Sequence, residues 1–145
     1  MSNSIQFLGK SKFISGKQRK GIRQMIETIA NDHGYVIQTI CYIFMTDDEL
    51  LEINISHLQH DDYTDIITFD LSDTEASIDG EIYISVDRIQ ENAKKFNCTP
   101  EDELIRVLSH GVLHLMGYKD KSENDSQKMR DAENLSIKIY HEIPQ

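Results

Sequence analysis

The chain has 145 residues, 39% of them hydrophobic and 28% charged, enough for one domain to bury a core without disulfide or metal staples. A mean hydropathy of -0.47, without any apolar run of spanning length, excludes a membrane-embedded helix. The net charge of -10 repels polyanions at long range, so no DNA partner is expected and any RNA contact must be local. The N-terminus lacks a signal-peptide core, which makes the cytoplasm the expected compartment. Cys41 and Cys98 stand far apart without C-x-x-C spacing and read as buried or semi-buried thiols in a reducing compartment.

Charge is unevenly spread. Lys10, Lys12, Lys17, Arg19, Lys20 and Arg23 are the only charged residues among the first 23, whereas no Lys or Arg falls between Met25 and Asp87. That basic segment is the best local candidate for an RNA contact, and a solvated helical turn is its plain alternative.

In chain order, residues 4–8 alternate as a short strand, and Ser15-Gly16 precedes a helix over 17–33 with Ile22, Met25, Ile26 and Ile29 on one stripe. Gly34 closes it, with His33 placed to complement the helix dipole. Residues 35–44, rich in Val, Ile, Tyr and Phe, form a strand. Thr46 and Glu49 make a capping box that opens a helix to about Ser56. A polar loop over 57–63 holds His57 and His60, and residues 64–71 return as a strand. An acidic loop over 72–79 leads to a strand over 80–85, paired antiparallel with the one before it. Ser85 or Asp87 caps a helix whose apolar stripe is Ile89, Ala93 and Phe96. A helix capped by Thr99 follows, and a last one opens at 122–125 and carries Met129, Ala132, Leu135, Ile139 and Tyr140; His141 at its end reads as exposed. The order β-α-β-α-β-β-α-α-α predicts one α+β domain over 1–145, with a mixed four-stranded sheet packed by about five helices.

The chemistry concentrates in the helix after Thr99. Pro100 suits its first turn, and Glu101, Asp102 and Glu103 complement the dipole. Leu104, Val107, Leu108, Gly111 and Leu115 make the core face, with His110 and His114 at its margin. Histidines four apart on a helix share one face, and imidazole is the commonest transition-metal ligand. Gly117 ends the helix, and Asp120 can then turn back toward both rings. Two His and one carboxylate around an open fourth position is a catalytic zinc geometry, so one zinc per chain is expected on His110, His114 and Asp120.

Residues 110–118, together with Thr64-Asp65-Ile66-Ile67-Thr68-Phe69 and Gly80-Glu81-Ile82-Tyr83-Ile84-Ser85, resemble the YbeY family of bacterial rRNA maturation factors in sequence, order and separation. The resemblance spans roughly residues 35–140. It implies a metal-hydrolase fold and a zinc-dependent, single-strand-specific endoribonuclease. It also implies a role in 16S rRNA 3′-end maturation and ribosome quality control, with ribosomal RNA and the ribosome as partners. Two places depart from the pattern. Lys119 and Asp120 stand where the family has Asp and His, and no Arg lies near Leu58, where the family has one before the Thr-Asp strand. Lys119 is a candidate to supply part of that missing charge. Gly111 replaces the Glu of His-Glu-x-x-His proteases, which counts against a protease-like hydrolase. The serious alternative is a non-catalytic ribosome assembly factor that keeps zinc for stability.

Overall fold

The computed structural model describes residues 4–59 and 63–144. Nine elements follow one another: β1 (Ile5–Gly9), α1 (Gly16–Asp32), β2 (Val36–Met45), α2 (Asp47–Leu58), β3 (Ile66–Asp70), β4 (Ser77–Ser85), α3 (Val86–Lys95), α4 (Pro100–Leu115) and α5 (Glu123–Glu142). The expected element order and α+β class both hold. Among the described residues, no helix is long and apolar enough to cross a membrane.

The strand order is β1-β2-β4-β3, with β1, β2 and β4 parallel and β3 antiparallel to β4. β3 is thus a sheet edge, the position that leaves one row of backbone groups unpaired. β4 starts at Ser77, three residues before the expected strand, because Ser77, Ile78 and Asp79 pair in parallel with Val36, Ile37 and Thr39 across a register shift. Ile78 is buried in step with Gly80, Ile82 and Ile84, so the period-two signal of β4 already begins inside the segment read as a loop. β3 is shorter than expected and excludes Thr64, Asp65 and Leu71.

Side chains alternate along β2 from Ile40 onward, past the register irregularity between Ile37 and Thr39. Ile40, Tyr42 and Phe44 are buried under the helices, and Cys41 and Ile43 between them are half-buried on the other face. α2 packs against β3 and β4 on that second face, where His57 meets Phe69 edge-on at 6.1 Å between ring centroids.

α4 lies against the sheet through Leu104, Val107, Leu108, Gly111, Val112 and Leu115, all buried. Its approach is close. A Cβ on Gly111 would meet Ile82 at 2.9 Å and Ile66 at 3.1 Å, and one on Gly80 would meet the Phe69 carbonyl at 2.7 Å and Leu115 at 2.9 Å. The buried Tyr42 hydroxyl donates to the Leu108 carbonyl (3.0 Å), and Tyr35 donates to that of Met116 (3.0 Å), so two strand-side tyrosines hold α4 in register. α5 packs alongside α4, and α3 packs on its other flank.

One element departs in a way that matters for the site. Ile89 and Ala93 are buried as expected, but Phe96 caps the end of α3 and is 57% exposed.

Candidate metal centre

The turn after α4 assembles the site. Gly117 takes φ +98°, its N–H donates to the His114 carbonyl (3.0 Å), and the Tyr118 N–H donates to that of Leu113 (3.0 Å). These are the two bonds of a Schellman motif, which reverses the chain at a helix end. The Tyr118 hydroxyl then meets His33 Nε2 at 2.9 Å, and His33 Nδ1–H donates to the Ile29 carbonyl, pinning the turn to α1. His33 therefore binds a carbonyl at its helix end, as expected, and anchors this turn as well.

Asp120 comes back over the histidine face. Its Oδ2 lies 3.4 Å from His110 Nε2 and 3.3 Å from His114 Nε2, and one ligand atom from each residue falls within 4.8 Å of the others. Ion pairs between imidazolium and carboxylate normally close to about 2.8 Å. Ligands about 2.1 Å from a tetrahedral zinc instead stand about 3.4 Å from one another. The two carboxylate–imidazole separations match those of a metal tetrahedron, and the three side chains can hold a metal ion. No fourth His, Cys, Asp or Glu joins this cluster among the described residues, which leaves a coordination position for an outside ligand.

His110 is fixed from behind. Its Nδ1–H donates to Glu133 Oε2 at 2.6 Å, and Arg106 donates to Glu133 Oε1 at 3.1 Å. That bond puts the proton on Nδ1 and leaves the Nε2 lone pair facing Asp120 and the cleft. Burial alone would push the His110 pKa down, but the hydrogen bond and charge of Glu133, with Asp120 and Asp65, outweigh it and the net displacement is upward. Burial raises the Asp65 carboxyl, with His110 pulling partly against it. Glu103 is likewise raised by burial, against the pull of Arg106.

The cluster opens into a cleft of about 560 Å³ walled by β3, α3, α4 and α5. Arg88, Arg106 and Arg130 line it together with Asp65, and these cations come from parts of the chain far from the loop near Leu58. Glu133, Asp65 and the three arginines join the site without having been expected from the sequence. Glu133 did leave a signal, a carboxylate four residues from Met129 and seven from Tyr140 on the buried stripe of α5.

None of Lys10, Lys12, Lys17, Arg19, Lys20, Arg23 or Lys119 lines the cleft. Arg19 donates to the Ser11 and Ile14 carbonyls, Arg23 donates to that of Ile5, and both guanidinium groups stack over Phe7. Those two arginines are committed to the fold of the N-terminal segment. His57 also lies away from the cleft lining, and His60 falls outside the described residues. His141 is paired, with Nε2 at 2.6 Å from Asp102.

The family model described as Endoribonuclease YbeY matches residues 5–141. The chain belongs to the YbeY family. Among its relatives, the Endoribonuclease YbeY of Cytophaga hutchinsonii is 47% identical over 123 residues, covering 85% of this chain and 86% of that protein. The Endoribonuclease YbeY of Christiangramia forsetii is 41% identical over 139 residues, covering 94% of each. A solution structure of a Thermotoga maritima protein superposes with a TM-score of 0.67 at 30% identity, covering 94% of this chain and 88% of the other. Asp120 reaches both histidine rings from the turn after α4. Gly111, where a protease would carry its general base, faces Ile82 and Ile66 in the packed layer between α4 and the sheet.

Proposed function

We propose that this protein is a zinc-dependent endoribonuclease that cuts single-stranded RNA in the cytoplasm, within 16S rRNA 3′-end maturation and ribosome quality control. The observation that carries the reading is the convergence of His110, His114 and Asp120 at metal-tetrahedron spacing inside a cleft that also holds three arginines. The unpaired, half-buried thiols Cys41 and Cys98 suit a reducing compartment.

When bound, zinc supplies Lewis acidity beside the scissile phosphate and makes water a better nucleophile near neutral pH. The chain's own groups do the rest. Glu133 holds His110 in the tautomer that presents Nε2. Arg130, which forms no ion pair among the described residues, offers its charge to a phosphate oxygen on the open side of the cleft. Asp65, whose pKa is raised by burial, is a cleft carboxylate able to take a proton, whereas Glu133 is occupied by His110 and Arg106 and Glu103 faces Arg106.

The decisive experiment is a cleavage assay on single-stranded RNA with metal content measured in parallel. Zinc-loaded protein should cut, a chelator should stop it, and added zinc should restore it. Protein fully loaded with zinc that leaves RNA intact while associating with ribosomes would establish the assembly-factor reading instead.

The basic N-terminal segment is proposed as a second RNA contact, outside the cleft. Because Arg19 and Arg23 hold backbone carbonyls, its test is confined to lysines. Reversing Lys17 and Lys20 to Glu should weaken RNA binding and flatten its salt dependence by about 0.7 unit of slope for each phosphate no longer neutralised. An unchanged slope would make the segment a solvated face.

A further inference from the structure

Metal chemistry accounts for one end of the cleft and leaves its α3 wall unexplained. Arg88, Asn92 and Phe96 all line the cleft from that helix. Their spacing of four residues puts them on one stripe, each step rising about 6 Å along the axis. The neighbouring stripe of Ile89 and Ala93 is buried, so α3 already has its core contact without Phe96. Phe96 is nonetheless a large ring that stays 57% exposed, and Tyr63 on the same cleft is 48% exposed. An exposed aromatic ring in the same cleft as the candidate metal cluster is available to a ligand there.

The surroundings narrow the ligand's chemistry. The Lys95 ammonium sits 5.6 Å from the Phe96 centroid, and the Arg88 guanidinium lies 5.3 Å from that of Tyr63. Apart from Ile66 and Val107, the rest of the lining is polar or charged, with Asn92 half-buried one turn before Phe96. A protein partner would want a contiguous apolar patch, which these two separate rings do not form. Isolated aromatic faces interleaved with cations are the pattern that holds single-stranded nucleic acid, because every base has a face to stack and every linkage a charge.

We propose that Phe96 is a base-stacking residue: a nucleobase of a single-stranded RNA lying in the cleft packs on the ring face not covered by Lys95, with the Asn92 amide at the base edge. The inference rests on the reading of the cleft as an RNA site and deepens it. It gives single-strand selectivity a physical cause, since a base paired in a duplex has no free face to give.

The chain contains no tryptophan, which makes a direct test available. Phe96→Trp installs a single indole whose emission responds to stacking. The zinc-loaded full chain would be titrated with nuclease-resistant 2′-O-methyl oligoadenylate, and separately with the same strand annealed into a duplex. The single strand should quench Phe96→Trp at the affinity of the parent protein, and the duplex should not. In anisotropy titrations, Phe96→Ala and Phe96→Leu should each bind the single strand about tenfold more weakly. Zinc content and melting temperature should stay at parental values, since the side chain is largely in solvent. Parental affinity in both Phe96→Ala and Phe96→Leu, with no quenching in Phe96→Trp, overturns the stacking role and leaves the nuclease reading standing. A parent protein that binds no single-stranded RNA overturns both.

Discussion

Replacing His114 with alanine is expected to remove tight zinc binding and lower kcat/KM on single-stranded RNA by about a thousandfold or more, the scale of losing several kcal/mol of charge stabilisation. His114 is the informative choice of the two histidines. Its ring is partly exposed and meets His110 edge-on, whereas His110 also satisfies the buried Glu133. The His114→Ala protein should therefore keep its fold, and circular dichroism at matched concentration would confirm this before activity is compared. Asp120→Ala, which removes the most exposed ligand, should weaken zinc binding and leave the helix and its Schellman turn in place. If it binds zinc as tightly as the parent, the third ligand is misassigned, and Glu123 and Asp125 are the next to replace. The affinity of the parent for zinc should also fall with acidification, because a proton on His110 Nε2 competes with the metal. Glu133 and its neighbours raise the His110 pKa, so this competition begins at a higher pH than for an ordinary histidine. Calorimetric titrations across pH would show it, and RNA cleavage that persists in His114→Ala would sink the metal mechanism.

The parts of this molecule that could be read from the sequence are those set by local rules. The caps read at Thr46, Ser85 and Thr99 carry their bonds in the structure, and the histidine pair follows from helical periodicity alone. Asp120 was legible because Gly117 has a known use at a helix end. What escaped depends on contacts between segments far apart in sequence. The parallel placement of β4 beside β2 draws Ser77–Asp79 into the sheet although those residues read as a loop. Phe96 continues the Ile89–Ala93 stripe on paper, but α3 stops at Lys95 and releases the ring into the cleft. The expectation of a cation-poor site came from scanning the loop near Leu58. The fold recruits Arg88, Arg106 and Arg130 from three helices instead, a convergence that no linear spacing encodes.

Glu133→Ala should produce the largest stability loss of any single change at the site, about 3 kcal/mol, at the lower end for breaking a buried pair because Arg106 is partly exposed. For a chain of this size that corresponds to a fall in Tm of about 10 °C. The reason is that one buried carboxylate serves two partners: Oε2 accepts from His110 and Oε1 accepts from Arg106. Arg106 also donates to Asn134 at 3.1 Å and pairs in charge with Glu103 at 3.9 Å, so its guanidinium is not wholly abandoned. His110 has no such reserve on its Nδ1 side. Glu133→Gln separates the two roles. Its amide keeps one acceptor and sets an NH2 against either the imidazole N–H or the guanidinium, so it should cost about 1–2 kcal/mol of stability. Zinc affinity should fall about 10- to 100-fold in Glu133→Gln, since the charge that orients His110 and raises its basicity is gone. Thermal melts of metal-free protein report the structural role, and competitive zinc titration of the same samples reports the orienting one. A Glu133→Gln protein that melts lower but binds zinc like the parent would make this carboxylate a partner for Arg106 alone, with His110 held in place by packing.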